Sequence, residues 1–193
     1  MSPEDRLKKK IFEFKNKFTI DYKCALASNL IPHITLSQFV LRESNEIELR
    51  NMLRLYASTI AALNVDLRGF GRFNKQTIFL KVCQQQEIIK IIVGLKSFIN
   101  NDTYPSKFVP NFSSKPHVTI AKQMTERQFE CAWKDFKSEF FFDGYYAKDM
   151  LLLRRNFDEE RVRHEGSYKK VELFNFKIGP YYGRQTDLFD TLL

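Results

Sequence analysis

The chain has 193 residues, of which 44% are hydrophobic and 28% are charged, and its formal net charge is +8. This length fits one domain, or two small lobes with a shared core, and 19 phenylalanines can supply that core. No apolar run approaches the ~20 residues of a membrane span, and the first residues lack the apolar stretch of a signal peptide. The basic excess favours an anionic partner, of which nucleic acid is the commonest.

The first half of the chain is predicted to contain two helices and three strands. These elements are a helix over 3–18, a strand over 32–40, a helix over 45–62, and strands over 65–73 and 77–82. The first helix has an apolar face, and its lysines are assigned to the opposite, solvated face. Asn45-x-x-Glu48 has the pattern of a capping box at the start of the second helix.

The same order of elements recurs in the second half. The predicted elements are a helix over 88–99, a strand over 116–122, a helix after the capping box Thr125-x-x-Gln128, and strands over 145–154 and 168–178. This recurrence indicates an ancient duplication, with repeats at about 3–83 and 85–178 inside a single bilobal domain over 1–180.

Two further segments carry weaker patterns. The charged segment 154–168, which contains the third histidine, His164, is predicted to be a solvated loop, with a flexible flap over a substrate as the alternative. Residues 181–193 are interpreted as a C-terminal extension.

Three cysteines, Cys24, Cys83 and Cys131, lie far apart and in no metal-ligand spacing. Their odd number and wide separation are typical of reduced thiols in the cytoplasm. We therefore expect a cytoplasmic monomer that has no disulfide, no bound metal and no cofactor.

Two histidine pentapeptides occupy matched positions in the two repeats. Pro32-His33-Ile34-Thr35-Leu36 and Pro116-His117-Val118-Thr119-Ile120 contain two of the three histidines of the chain. Side chains alternate between the two faces of a strand, so the His and Thr of each motif share one face and their apolar neighbours enter the core. Two such strands facing each other would place two imidazoles and two hydroxyls around one small anionic group.

These residue types suit displacement at phosphorus. Histidine titrates near neutrality, so one imidazole can act as a base while the other acts as an acid. In-line displacement needs both, because the attacking oxygen loses a proton and the leaving oxygen gains one. The hydroxyls of Thr35 and Thr119 can donate hydrogen bonds to the non-bridging phosphate oxygens. This scheme requires no metal, and neither pentapeptide contains an acidic residue.

The paired motifs resemble those of the 2H phosphoesterase superfamily, the 2′-5′ RNA ligase-like and cyclic phosphodiesterase proteins. That family is defined by two His-x-Thr/Ser-x motifs, which stand here as His33-Ile34-Thr35-Leu36 and His117-Val118-Thr119-Ile120. The turn Gly69–Phe73 is similar to the family's segment between the motifs, and the resemblance covers about residues 2–178. One departure is at the start, where the family usually has a strand before the first helix and this sequence has none.

The resemblance implies a fold and a function. The fold is α+β, duplicated and bilobal, with two antiparallel sheets flanking a central cleft and helices on the outside. The function is metal-independent phosphoesterase chemistry on 2′,3′-cyclic phosphates or 2′-5′ linkages of RNA ends or small nucleotides. His33 and His117 would be catalytic, and Thr35, Thr119 and Lys122 would bind phosphate.

Other residues are candidates for substrate binding. Phe39, Phe73 and Tyr168 can stack on a base, with core packing as the alternative for each. Arg154 and Arg155 end a strand beside the cleft on this interpretation, so one of them would meet phosphate. Two alternative functions stay open. One is a non-catalytic RNA- or nucleotide-binding module, and the other is a cyclic phosphodiesterase for a non-nucleic substrate such as a cyclic sugar phosphate.

Overall fold

The computed structural model describes residues 1–27, 31–100, 109–158 and 163–177. The α-helices in these ranges are α1 (Asp5–Asp21), α2 (Glu46–Thr59), α3 (Gln85–Asn100) and α4 (Glu126–Phe136), and a short 3-10 helix, Glu43–Asn45, precedes α2. The strands are β1 (Ser37–Val40), β2 (Leu63–Phe73), β3 (Thr77–Val82), β4 (Val109–Phe112), β5 (His117–Ala121), β6 (Phe142–Ala147), β7 (Asp149–Asp158) and β8 (Arg163–Asn175).

The described strands form antiparallel sheets. A four-stranded sheet has the order β5-β3-β2-β6, and two-stranded sheets are formed by β1 with β4 and by β7 with β8. Helices α1 and α4 pack against the four-stranded sheet, while α2 packs against α3 and β8. The predicted α+β class with antiparallel sheets is therefore confirmed, although the described chain has three sheets where two were expected.

One face of the four-stranded sheet is filled by aromatic side chains from the helices. Phe14 of α1 contacts Phe70 and Phe141 edge to face, with ring centroids 5.4 and 5.6 Å apart. Phe136 of α4 packs 4.6 Å from Phe18 of α1. Such pairs contribute about 0.5–1.5 kcal/mol beyond the area that they bury. Because the helices cover this face, the side chains on the opposite face of the sheet are the ones left for a cleft.

An ion-pair cluster fixes α1 to β6. Arg6 contacts the two carboxylate oxygens of Asp143 at 2.7 and 3.0 Å, and Lys10 contacts the same group at 3.1 Å. These contacts, together with the backbone N–H of Gly144, hold the pKa of Asp143 well below its usual range. The position of α1 against the sheet is thereby set.

Several predicted elements agree with the structure and others do not. The strand over 77–82 is β3, and the capping box at Thr125 and Gln128 is formed at the start of α4. Asn45 precedes α2, but its side chain makes no capping hydrogen bond. The 3-10 turn before it leaves Asn45 at φ −96° and ψ 0°, away from the extended conformation of an N-cap.

The predicted loop over 154–168 was wrong. β7 continues to Asp158 and β8 begins at Arg163, so most of the segment belongs to a two-stranded ribbon. A ribbon of two strands exposes much of both faces, and its charged residues therefore imitated a loop. The single strand predicted over 145–154 is divided between β6 and β7, and β4 was not predicted. The extension at 181–193 lies outside the described residues.

The first histidine motif is less regular than predicted. The regular strand β1 begins only at Ser37, and Ile34 makes an isolated antiparallel bridge with Val118. No strand is assigned before α1, but Met1 exchanges two backbone hydrogen bonds with Ile34, at 2.8 and 3.0 Å. The division into two repeats stays a prediction. No helix in the described ranges is long and apolar enough to cross a membrane.

Candidate active site

The two histidine motifs run antiparallel and meet at their central residues. Ile34 bridges Val118, and residues on either side of an antiparallel bridge face each other in turn. His33 therefore lies opposite Thr119, and Thr35 lies opposite His117. Ile34 and Val118 are 1% and 0% exposed, whereas the four polar residues are partly exposed. The alternation predicted from the sequence is present, and it places two imidazoles and two hydroxyls on one face.

Both imidazoles are held by the same local hydrogen bond. Nδ1 of His33 lies 2.6 Å from the carbonyl oxygen of Ile31, and Nδ1 of His117 lies 2.7 Å from that of Lys115. A carbonyl oxygen can only accept, so Nδ1 is the donor in each case. The bond leaves Nε2 of each ring to take or give a proton. The buried proline that precedes each histidine follows the residue whose carbonyl accepts this bond.

Burial controls the charge of the two rings. It lowers the pKa of His33 to about 4, with smaller contributions from nearby positive groups that include Lys15 and His117. Burial also lowers the pKa of His117, and the charge of Lys115 acts in the same direction. Both imidazoles are therefore mainly neutral at pH 7 in the empty site, and an anion bound between them would raise both pKa values.

A buried lysine that the sequence interpretation missed lies beneath the site. Lys15 of α1 is 0% exposed, and its ammonium group donates a 2.9 Å hydrogen bond to the carbonyl oxygen of Thr119. Burial lowers the pKa of Lys15 to about 7, and the charge of Lys122 contributes. The assignment of all α1 lysines to the solvated face was therefore wrong. The available signal was spacing, because Lys15 is in phase with Leu7, Ile11 and Phe18 on the apolar stripe.

Replacing Lys15 should change how stability depends on pH. The pKa of Lys15 is lowered on folding, so the unfolded chain binds more protons between about pH 7 and the ordinary value of 10.5. We expect Lys15→Met to be most stabilising, relative to the parent protein, below pH 7. This advantage should shrink as the pH rises toward 10, by up to ~1.4 kcal/mol per pH unit. Urea unfolding at several pH values measures the gap.

The exposed Lys9 on the same helix provides the control for this test. Lys9→Met should give a gap that does not vary with pH in the same range. A constant gap for Lys15→Met as well would show that Lys15 is not a buried, destabilised charge in the folded protein.

Comparison with known proteins shows where this arrangement occurs. The family model described as the 2′-5′ RNA ligase superfamily matches residues 3–158, which include both histidine motifs. The chain belongs to this superfamily. The 2H phosphoesterase resemblance is thereby confirmed. The match ends at the last residue of β7, and β8 lies beyond it. We find no match among curated protein sequences.

Two solved structures of E. coli LigT are similar to this member of the superfamily. The apo form is 15% identical, covers 87% of this chain and 91% of its own, and has a TM-score of 0.50. The complex of LigT with 3′-AMP is 15% identical, with coverages of 86% and 92% and a TM-score of 0.50. At this identity the likeness shows the fold alone.

A cavity of about 450 Å³ adjoins one of the two motifs. His33 and Thr35 line it, whereas His117 and Thr119 do not. Its apolar wall is made by Leu36, Leu49, Leu53, Leu95, Met150 and Phe174. The volume falls within the range of small-molecule sites. The site is therefore asymmetric, although its four polar residues are arranged with near twofold symmetry.

The cavity gathers four of the five predicted substrate-binding residues. These four are Phe39, Arg154, Arg155 and Tyr168, and Phe73 lies outside, next to His117. Arg154 is held in ion pairs with Glu43 and Glu46, each at 3.0 Å, so it is not free to meet a phosphate.

Arg155 is the better placed of the two arginines. Its guanidinium carbon lies 4.4 Å from the centroid of the Tyr168 ring, and its Nε is buried with no hydrogen-bond partner in the described structure. Its charge is felt at Lys122, whose pKa is lowered by partial burial and then by Arg155. Arg155 and Lys122 therefore lie near each other beside the histidine pair, and both point to an anionic ligand.

The described ranges contain no group of three His, Cys, Asp or Glu side chains that could hold a metal ion. The positive groups near the two imidazoles are instead lysines and arginine. Cys24 is buried, and Cys83 and Cys131 are exposed as free thiols.

Proposed function

We propose that the protein is a metal-independent phosphoesterase that opens 2′,3′-cyclic phosphates or cleaves 2′-5′ linkages of RNA ends or small nucleotides. The observation that carries the proposal is the antiparallel pairing of the two motifs, which sets two imidazoles and two hydroxyls on one face. Membership of the 2′-5′ RNA ligase superfamily supports the class of reaction. A crystal structure of LigT, which has a similar fold, contains 3′-AMP.

The two imidazoles supply both proton transfers of an in-line displacement. Nε2 of one ring takes the proton of the attacking oxygen as that oxygen forms its bond to phosphorus. Nε2 of the other ring gives a proton to the leaving oxygen as its bond to phosphorus breaks. The paired Nδ1–H bonds to Ile31 and Lys115 keep each ring oriented for this exchange.

The phosphate would be held by hydroxyls and cations. Thr35 and Thr119 share the face of the histidines, and their hydroxyls can donate to the non-bridging oxygens. Lys122 and Arg155 provide positive charge on the same side, and Arg155 has a buried Nε–H available for an acceptor. Charge-assisted hydrogen bonds of this kind are about twice as strong as neutral ones.

The cavity next to His33 would receive the nucleoside that carries the phosphate. Its apolar wall suits a base and ribose, and Phe39 and Tyr168 offer aromatic faces at its rim. A substrate placed there has its phosphate at His33 and Thr35, where the second motif can reach it across the Ile34–Val118 bridge.

The direct test is turnover in the presence of a chelator. The protein is incubated with the four 2′,3′-cyclic mononucleotides, with RNA that ends in a cyclic phosphate, and with 2′-5′-linked oligonucleotides. We expect a phosphomonoester or a cyclic phosphate product with EDTA present. Activity that disappears with EDTA and returns with a divalent cation would overturn the metal-free mechanism. Tight nucleotide binding without turnover would favour a binding module instead.

The pH profile of kcat/KM should be a bell whose maximum lies on the acidic side. Burial lowers the pKa of both imidazoles, that of His33 to about 4 and that of His117 below its ordinary 6.5. One ring must be neutral and the other protonated, so the rate falls below the lower pKa and above the higher one. We expect the maximum between about pH 4 and 6.5. A maximum well above pH 7 would show that the free protein does not hold these rings as described.

A further inference from the structure

An aromatic and basic surface lies on the His117 side of the site, outside the cavity. It consists of Phe73, Phe79, Lys81 and Lys115, and we call it the β2–β3 platform. The rings of Phe73 and Phe79 are stacked, with centroids 4.3 Å apart and an interplanar angle of 29°. The imidazole of His117 lies 4.8 Å from Phe73 and 5.1 Å from Phe79. The platform is therefore in contact with one catalytic ring and is continuous with the site.

The two lysines of the platform are exposed and lie along the rings. Nζ of Lys115 is 5.3 Å from the centroid of Phe73 and 5.7 Å from that of Phe79. Lys81 is directly opposite His117 in the pairing of β3 with β5, so both side chains share a face. Within the described ranges no ion pair with a carboxylate is found for either lysine.

Glycines keep the β2 edge of this platform flat. A Cβ placed at Gly71 would lie 2.5 Å from Cε2 of Phe79, so the Phe79 ring can lie across β2 only because position 71 has no side chain. At Gly69, with φ +60°, the side chain of Lys81 passes within 3.6 Å of the place that a Cβ would occupy. Aromatic rings on an open floor, flanked by lysines, are the elements with which proteins bind single nucleotides of a strand.

We propose that the β2–β3 platform binds a second nucleoside, joined through the scissile phosphate to the nucleoside in the cavity. The proposal rests on the function given above and narrows it to linkages that have a nucleoside on each side of phosphorus. The cavity is lined by His33 and Thr35, and the platform contacts His117, so a substrate that spans both has its phosphorus between the two rings. A cyclic mononucleotide would leave the platform empty.

This placement assigns the proton transfers for a 2′-5′ linkage. His33, beside the cavity, takes the proton of the 3′-hydroxyl of the first nucleoside as O3′ bonds to phosphorus. His117, beside the platform, gives its proton to O5′ of the second nucleoside as the P–O5′ bond breaks. The products are a 2′,3′-cyclic phosphate and a 5′-hydroxyl nucleoside, with no other reactant. The stronger burial effect on His33, which disfavours its charged form, agrees with its role as the base.

The test compares two substrates on the same variants. The substrates are 2′-5′-linked diadenosine monophosphate and adenosine 2′,3′-cyclic phosphate, and the variants are Phe73→Leu and Lys81→Met. We expect each variant to lower kcat/KM for the dinucleotide by about tenfold or more, the range of lost base stacking, and to change that for the cyclic mononucleotide less than about threefold. Lys115 is left unchanged because its charge also acts on the pKa of His117.

Matched controls are available away from the site. Phe140 is 81% exposed after α4, and Lys137 is exposed at the end of the same helix. Phe140→Leu and Lys137→Met should leave both substrates unaffected. An equal loss for both substrates in Phe73→Leu would show that Phe73 acts only through His117, and no loss for the dinucleotide would remove the platform from binding. Either result overturns the proposal.

A binding measurement separates this proposal from the proposed function. If the parent protein turns over neither substrate, the dinucleotide and adenosine 3′-monophosphate are titrated calorimetrically into the same proteins. Weaker binding of the dinucleotide alone in Phe73→Leu and Lys81→Met supports the platform even without catalysis. Binding of the dinucleotide that is unchanged in both variants overturns it.

Discussion

His33→Ala and His117→Ala should each lower kcat by about 10²–10⁴-fold, the contribution of one positioned acid or base. Each substitution removes the Nε2 that takes or gives a proton, while the partner ring and the phosphate-binding groups remain. The double variant should lose little more than the worse single variant, because the two rings act in one step. Steady-state rates on a 2′,3′-cyclic nucleotide, with circular dichroism as the check on folding, measure the effect.

Stability gives an independent check on the same variants. The folded-state pKa of His33 is lowered to about 4, so between that value and 6.5 the unfolded chain binds more protons and the parent protein loses stability as the pH falls. His33→Ala should therefore be relatively more stable at pH 4 than at pH 7. The third histidine, His164, lies outside both motifs, and His164→Ala should keep turnover. A His33 or His117 variant with near wild-type turnover would remove that residue from the mechanism.

The arrangement of the motifs was predictable because it depends on local geometry. A period of two residues puts Ile34 and Val118 on one face and their His and Thr neighbours on the other. That argument needs no knowledge of the rest of the chain. The mutual pairing of the motifs was predictable only as an expectation, since the Ile34–Val118 bridge is a contact between distant segments.

The asymmetry of the site was not predictable from the repeats. Two similar motifs suggest two similar flanks, yet the flank at His33 is a cavity and the flank at His117 is an aromatic platform. The difference arises from packing at long range. The cavity needs β7, β8 and α2 to meet β1, whereas the platform needs Phe79 to lie over Gly71. Neither contact leaves a periodic pattern in the sequence.

Lys15 shows a different limit of sequence interpretation. A lysine among other lysines on an amphipathic helix is normally solvated, and that general rule prevailed over its position in the apolar stripe. Its burial becomes intelligible only when α1 is placed on β5, where the carbonyl oxygen of Thr119 accepts its hydrogen bond. Supporting groups behind a site are harder to predict than the reacting groups, because their partners are backbone atoms of distant strands.

Thr35→Val and Thr119→Val should lower kcat less than the histidine substitutions do. Each change removes one hydroxyl that can donate to a phosphate oxygen and keeps the β-branched shape. Loss of one donor to a developing negative charge weakens catalysis by about 2.7–4 kcal/mol in well-defined oxyanion sites, and we expect that or less here. The folded state should be little affected, because neither hydroxyl has a hydrogen bond within the described ranges.

The threonine variants are measured by kcat on a cyclic nucleotide and by urea unfolding of the same samples. Thr35→Ser and Thr119→Ser, which keep the hydroxyl, provide the matched controls and should retain most of the activity. Large destabilisation with intact turnover per folded molecule would mean that the hydroxyls are structural. His33 and His117 share a face with these threonines, so that outcome would also turn the imidazoles away from the phosphate, and the acid–base mechanism would fail with it.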